Sequence, residues 1–184
     1  MLTRIAVMAM AATAAAQQNN PVPSSQAAEI RRVAPDSFPS LPAGIVTALR
    51  RRNCTIPQAA GKGAPRNVIH GEFFAPGQKA WAVLCSNGGS SSILVFPNAS
   101  GANPEELAKQ DDQNSVQSDA QNRMVYSRAI EPVDRKYIVE HYSAYGGPEP
   151  PPIDHQGIND IFIGKASVVQ YRYQRKWLQL SGAD

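Results

Sequence analysis

The stretch Lys79-Ala80-Trp81-Ala82-Val83-Leu84-Cys85-Ser86-Asn87-Gly88-Gly89-Ser90-Ser91-Ser92-Ile93-Leu94-Val95-Phe96 decides the fold. Lys79 to Ser86 has the period of a strand, with Trp81, Val83 and Cys85 on one face and Ala82 and Leu84 on the other. Asn87-Gly88-Gly89 is a hairpin signal, because glycine and asparagine tolerate the positive φ of a tight turn. Ser91 to Phe96 then reads as the returning strand. Upstream, Asn67 to Phe74 reads as a third strand, joined through Pro76-Gly77, the natural central pair of a type II turn. A three-stranded antiparallel meander is therefore expected at the centre of the chain.

Working outward, Ser40 to Leu49 predicts a short helix. Ser40 is placed to cap it, Pro42 is tolerated in its first turn, and Leu41, Ile45, Ala48 and Leu49 form one apolar stripe. Arg50, Arg51 and Arg52 follow, where cations complement the negative end of a helix. Asn103-Pro104-Glu105-Glu106 has the form of a second helix start, running to Lys109. Asp111 to Asn122 is polar and predicts a loop. Arg123 to Ile130, Lys136 to Ser143, Ser167 to Tyr173 and Lys176 to Leu180 read as further strands. Ala144 to Asp160, rich in proline and glycine, reads as one long loop. The expected fold class is mostly β (α+β): an antiparallel sheet or small sandwich of about seven short strands, with one or two short helices.

The chain has 184 residues, enough for about one domain. Apolar residues make up 42 %, too many for a wholly disordered chain. The formal charge of +3 is too small to argue for a nucleic-acid partner. Met1 to Arg4 is a short basic region, Ile5 to Ala16 an apolar one, and Ala14-Ala15-Ala16 a signal-peptidase site. The organisation expected is a signal peptide over 1–16, a flexible Pro/Gln/Ser-rich arm over 17–39 and a single globular domain over 40–184. The apolar run is too short to span a bilayer, so no stable membrane anchor is expected and the mature chain should be periplasmic or secreted. In an oxidising compartment Cys54 and Cys85 favour a disulfide; two separate buried thiols are the alternative.

The sequence holds no His-Glu-x-x-His, no Gly-x-Ser-x-Gly, no phosphate-binding Walker loop and no dinucleotide glycine pattern. No catalytic residue, metal ligand or cofactor is assigned. The candidate ligand-binding residues are Tyr142, Tyr145, Asp154, His155 and Asp160, on or beside the proline-rich loop, where side chains can vary without disturbing a core. The expected role is non-enzymatic binding or structural, toward a protein, peptide or cell-wall ligand. The alternative is a small periplasmic hydrolase using Asp154 and His155 as an acid/base pair.

Gly71-Glu72-Phe73, Gly77 and Trp81-Ala82-Val83-Leu84 resemble the FG-GAP/VCBS type of repeat, in which a Gly-Asp-Phe turn and a calcium loop precede an apolar strand. The resemblance implies the hairpin but not the ion. Phe74, Pro76 and Ala80 stand where that family has oxygen ligands, and calcium takes six to eight oxygens. Asp154, Gln156, Gly157 and Asp160 echo the later half of such a loop. The chain also resembles a group of small exported bacterial proteins of unknown function. They share a helix ending in Cys-Thr-Ile-Pro-Gln (here Cys54 to Gln58), a Gly-Glu-Phe hairpin leading to Ala-Val-Leu-Cys (Ala82 to Cys85), an Asp-His-x-Gly-Ile loop and a final Trp hairpin. That likeness implies a fold and carries no activity.

Overall fold

A computed structural model describes residues 30–59 and 66–183. The expected signal peptide and most of the arm lie outside the described residues. In chain order the elements are β1 (Arg32–Val33), α1 (Ala43–Arg51), β2 (Ile56–Pro57), β3 (Val68–Gly71), β4 (Ala80–Asn87), β5 (Ser90–Phe96), β6 (Glu105–Asp111), β7 (Val116–Ser118), β8 (Met124–Tyr126), β9 (Arg128–Val133), α2 (Arg135–Tyr145), β10 (Gly157–Phe162), β11 (Ala166–Tyr173) and β12 (Lys176–Ser181). Two four-stranded antiparallel sheets carry the fold, one ordered β3-β4-β5-β6 and the other β12-β11-β10-β9. β1 with β2, and β7 with β8, form two-stranded ribbons beside them.

The layers follow from the alternation of side chains along the strands. Trp81, Val83 and Cys85 of β4 join Leu94 and Phe96 of β5 in a core that α1 closes with Ile45, Ala48 and Leu49. Ala80, Ala82 and Leu84 point the other way and meet Ile130 of β9 and Ile158 of β10 in the core between the sheets. On the far side of the second sheet, Val133, Val169, Tyr171 and Leu180 pack against Ile138 of α2. The order of layers is thus helix, sheet, sheet, helix. Both faces of β4 are buried, which is why its sequence is apolar almost without interruption. Ile30 lies in the inter-sheet core, so the end of the arm is already part of the domain.

Two polar clamps hold the sheets together away from the apolar centre. Asn67, buried and left-handed with φ 72, donates its amide to the carbonyls of Pro57 (2.6 Å) and Arg128 (3.3 Å) and accepts from the Ile130 N–H (3.1 Å). Its side chain thereby substitutes for a strand residue beside β9. At the opposite edge Glu105 of β6 accepts from Arg172 (3.0 and 3.2 Å) and from the Trp177 indole (2.5 Å). Burial alone would raise the Glu105 carboxyl, but those hydrogen bonds and the Arg172 charge outweigh it and hold the group below its ordinary value.

Several local expectations are corrected. Lys136 to Ser143 is not a strand but lies inside α2, although its β-branched and aromatic residues suit a strand. Asp134 caps the helix by accepting from the Tyr137 N–H (2.9 Å), and Gly146, at φ 73, ends it by donating to the Tyr142 carbonyl. Tyr137, His141 and Tyr145, four residues apart, stack along one face. The helix expected from Asn103 is instead β6, because the open edge of β5 supplies partners for its backbone. Asn103 itself sits at φ 49, turning the chain into that strand. The long loop is shorter than expected, since Gly157–Phe162 forms β10, an interior strand of the second sheet. α1 begins at Ala43 after Pro42 rather than with a Ser40 cap.

Cys54 and Cys85 are joined in a disulfide with Cα atoms 5.4 Å apart, and it ties the turn that follows α1 to β4. Among the described residues no helix is long and apolar enough to cross a membrane. The bond closes a loop of 31 residues, which constrains the unfolded chain by about 3 kcal/mol. The unreduced, denatured protein should show no titratable thiol, and C54A/C85A should lower the unfolding free energy by about that amount in urea titrations. Two reactive thiols, or an unchanged midpoint, would contradict it.

Candidate functional site

The inner faces of the two sheets meet an unusual residue. Arg128 alternates with Ile130 on β9, so the pleat sends its side chain between the sheets, where only 2 % remains exposed. Burying a guanidinium demands that every N–H be satisfied. Nε and Nη2 grip the Asp160 carboxylate side by side, at 2.8 Å each. Nη1 donates to the carbonyl and hydroxyl of Ser91 on β5 (3.3 and 3.1 Å), and Nη2 also donates to the Ala108 carbonyl on β6 (2.7 Å). One side chain therefore ties four strands.

Local structure prepares those acceptors. Ser91 pairs with Gln110 but Ile93 with Leu107, so β6 carries an extra residue, a bulge. Ala108 takes φ 48 there, a conformation costly for a residue with a Cβ. The bulge frees the Ala108 carbonyl from the ladder and aims it at Arg128. Asp160 is two residues from Arg128's partner Phe162, and therefore on the same face. Beyond Ser91 the network reaches the Tyr126 hydroxyl (3.3 Å). Burial pushes the Tyr126 phenol pKa up, so it stays neutral.

Above this floor a cleft of about 320 Å³ opens between β6 and the β10–β11–β12 surface. That volume suits one small ligand. Gln170 of β11 lies in it, only 4 % exposed, and its carboxamide has no hydrogen-bond partner among the described residues. Gln179 stands opposite it in register on β12. Lys109 and Asn114 stand at the rim, and Phe162 adds an aromatic ring. The floor is electrically balanced, because Arg128 and Asp160 neutralise each other.

The sequence-derived candidates do not form one cluster. Asp160 belongs to the cleft floor. Asp154 and His155 lie across the second sheet, with Tyr171. His155 Nδ1 is 2.6 Å from the Asp154 carboxylate, and the Tyr171 hydroxyl touches both (3.2 Å to Asp154, 3.1 Å to His155). The imidazole stacks on the Tyr171 ring with centroids 4.5 Å apart. The hydrogen bond from His155, then that from Tyr171, holds the Asp154 carboxyl below its ordinary value. Tyr142 and Tyr145 are on α2, half-buried and exposed respectively. A general base needs a nitrogen that substrate can reach. Here Nδ1 is engaged and Nε2 is sealed from solvent without a partner. The arrangement packs the end of the proline-rich loop onto β11 and does not present an acid/base pair.

Gln156 completes that anchoring. Its side-chain oxygen accepts from the Glu72 N–H (3.0 Å), and its own N–H donates to the Glu72 carbonyl (3.1 Å). The two loop segments that resemble halves of a calcium repeat thus lie side by side. Among the described residues no group of three or more His, Cys, Asp or Glu side chains is placed to hold a metal. Arg128, Gln170 and Gln179 were not singled out by sequence reasoning. The available signal was parity: Arg128 falls on the face of Ile130, and Asp160 on that of Ile158. Comparison with protein-family models, curated proteins and solved structures gives no match.

Two outcomes follow for stability. Asp160→Leu should cost about 3–5 kcal/mol in chemical denaturation, because it strands a buried charge, whereas Arg128→Met combined with Asp160→Leu should cost much less. Equal losses would show that the pair is not coupled. Asp154 contributes differently. Its depressed folded-state pKa makes a contribution that is complete above the ordinary aspartate value and is lost as pH falls through the depressed value. Asp154→Asn should therefore flatten the acid limb of stability against pH and leave the neutral limb parallel to wild type. An unchanged acid limb would remove that role.

Proposed function

We propose that this protein is an exported, non-enzymatic binding domain, periplasmic or secreted, whose working site is the cleft between its sheets. The observation that carries the proposal is Gln170: a carboxamide held almost fully buried at the edge of an open cleft, with no partner of its own. Its amide atoms are open to the cleft, and a ligand that can both accept and donate would pair with them. Gln179 beside it offers the same chemistry. The ionic groups below spend their hydrogen bonds on each other and on backbone, so they shape the floor and are not free for proton transfer.

The ligand class favoured is a small, uncharged molecule rich in hydroxyl and amide groups, such as a cell-wall amino sugar or a short peptide. Carboxamides hydrogen-bond such groups in either direction, and the Phe162 ring offers an apolar plane at the rim. The Met1 to Ala16 pattern and the Cys54–Cys85 disulfide support an extracytoplasmic setting.

The test is NMR of the ¹⁵N-labelled mature protein titrated with N-acetylglucosamine oligomers, muropeptides and short neutral peptides. The expected result is saturable shifts centred on Ser167, Val168 and Gln170, abolished in Gln170→Ala/Gln179→Ala. Shifts centred on Asp154 and His155 would move the site to the proline-rich loop, and hydrolysis of any probe would overturn the non-enzymatic assignment.

A further inference from the structure

The arginine run after α1 is used unevenly. Arg50 is ion-paired with Asp36. Arg51 and Arg52 are exposed and have no carboxylate partner among the described residues. Complementing the helix end does not account for both of them, because the terminal carbonyls already have donors. The Arg52 and Cys54 N–H groups donate to the Leu49 carbonyl (3.1 and 3.0 Å), the Asn53 N–H to that of Arg50 (2.9 Å), and the Asn87 side-chain amide to that of Arg52 (3.0 Å).

Both arginines border a concavity of about 470 Å³ on the outer face of the first sheet, beyond the end of α1. Lys109 of β6 adds a third cation, and Glu106 is one carboxylate against the three. The base is made of Cys85 and Ser92, which are direct partners across β4 and β5, so the disulfide stiffens it. Ser92 is 7 % exposed, and its hydroxyl has no hydrogen-bond partner among the described residues. A hydroxyl without a protein partner, opening onto a concavity with two guanidiniums that no carboxylate neutralises, matches an oxyanion with several acceptor oxygens.

We propose that this concavity is a second binding site, separate from the inter-sheet cleft although Lys109 borders both, for a phosphate-bearing ligand: a phosphomonoester or phosphodiester. Arg51 and Arg52 hold the phosphate oxygens through their planar N–H forks. Lys109 balances the remaining charge, and the Ser92 hydroxyl donates from below. A nucleic acid fits poorly, since the lining has no aromatic ring for base stacking and only three cations. A free ester and a lipid headgroup present the same phosphate.

The experiment titrates the ¹⁵N-labelled mature protein with glycerol 3-phosphate at ionic strength held constant with chloride, following the arginine Nε–H signals and the Ser92 amide. A second arm measures co-sedimentation with phosphatidylglycerol vesicles. Expected are saturable shifts at Arg51, Arg52 and Ser92, with affinity weakened roughly tenfold or more in R51Q/R52Q and unchanged in R135Q, on the opposite helix. Binding of glycerol 3-phosphate assigns a free ester as sufficient. Binding of vesicles alone, lost in R51Q/R52Q, assigns the lipid headgroup. No saturable response in either arm, equal shifts with chloride, or wild-type binding by R51Q/R52Q overturns the proposal. The Gln170 signals should not move with glycerol 3-phosphate, which keeps this test separate from that of the cleft.

Discussion

The arrangement of the two sheets depends on where Arg128 can be tolerated. A guanidinium between apolar sheets is ruinous unless all its donors are met, and only one packing meets them. β10 must place Asp160 two residues from Arg128's partner, β5 must offer Ser91, and β6 must bulge so that Ala108 turns its carbonyl inward. A one-residue slip of β9 would send Arg128 to the α2 face and Ala129 between the sheets. Hydrophobic burial drives the sandwich together and fixes which face of each strand is inside. The buried pair adds a penalty to any register that separates Arg128 from Asp160.

That constraint also shapes the cleft. The sheets close on each other over Ile130 and Ile158, and the cleft opens beside the ion pair and the β6 bulge. The space left is lined by polar side chains because the strands there still alternate: Val168, Gln170 and Arg172 share the inner face of β11, while Val169 and Tyr171 serve the α2 core. The opposite face uses polar chemistry for a different end. Asp154, His155 and Tyr171 bond to one another, and Gln156 bonds to Glu72, so the proline-rich segment is fastened at its end to β11 and to the residue that follows β3.

The parts legible in the sequence are those where local period and local partner coincide. β4 and β5 pair across a tight turn, and their alternation matches the faces that the structure buries. β11 and β12 are likewise strands where the sequence predicts them, with Val169 and Tyr171 on the face opposite Gln170 and Arg172. α2 was misread because its residues suit a strand. The deciding groups, Asp134 and Gly146, act only at its ends. β6 and β10 were missed because neither has a strong pattern of its own: Glu105 to Asp111 is mostly polar, and β10 follows a run of prolines. Both become strands because a neighbour's unpaired edge awaits them.

The chain's own chemistry determined its class, its central meander and the amphipathic stripe of α1, since each rests on spacing within a few residues or on composition. The tertiary structure decided the pairing of β9 with β10, the helix, sheet, sheet, helix layering and both concavities. Those rest on contacts between residues far apart in sequence, such as Arg128 with Asp160 or Arg52 with Asn87. A side chain's parity can be read from its neighbours, but which charge waits across the interface depends on the packing of the whole chain.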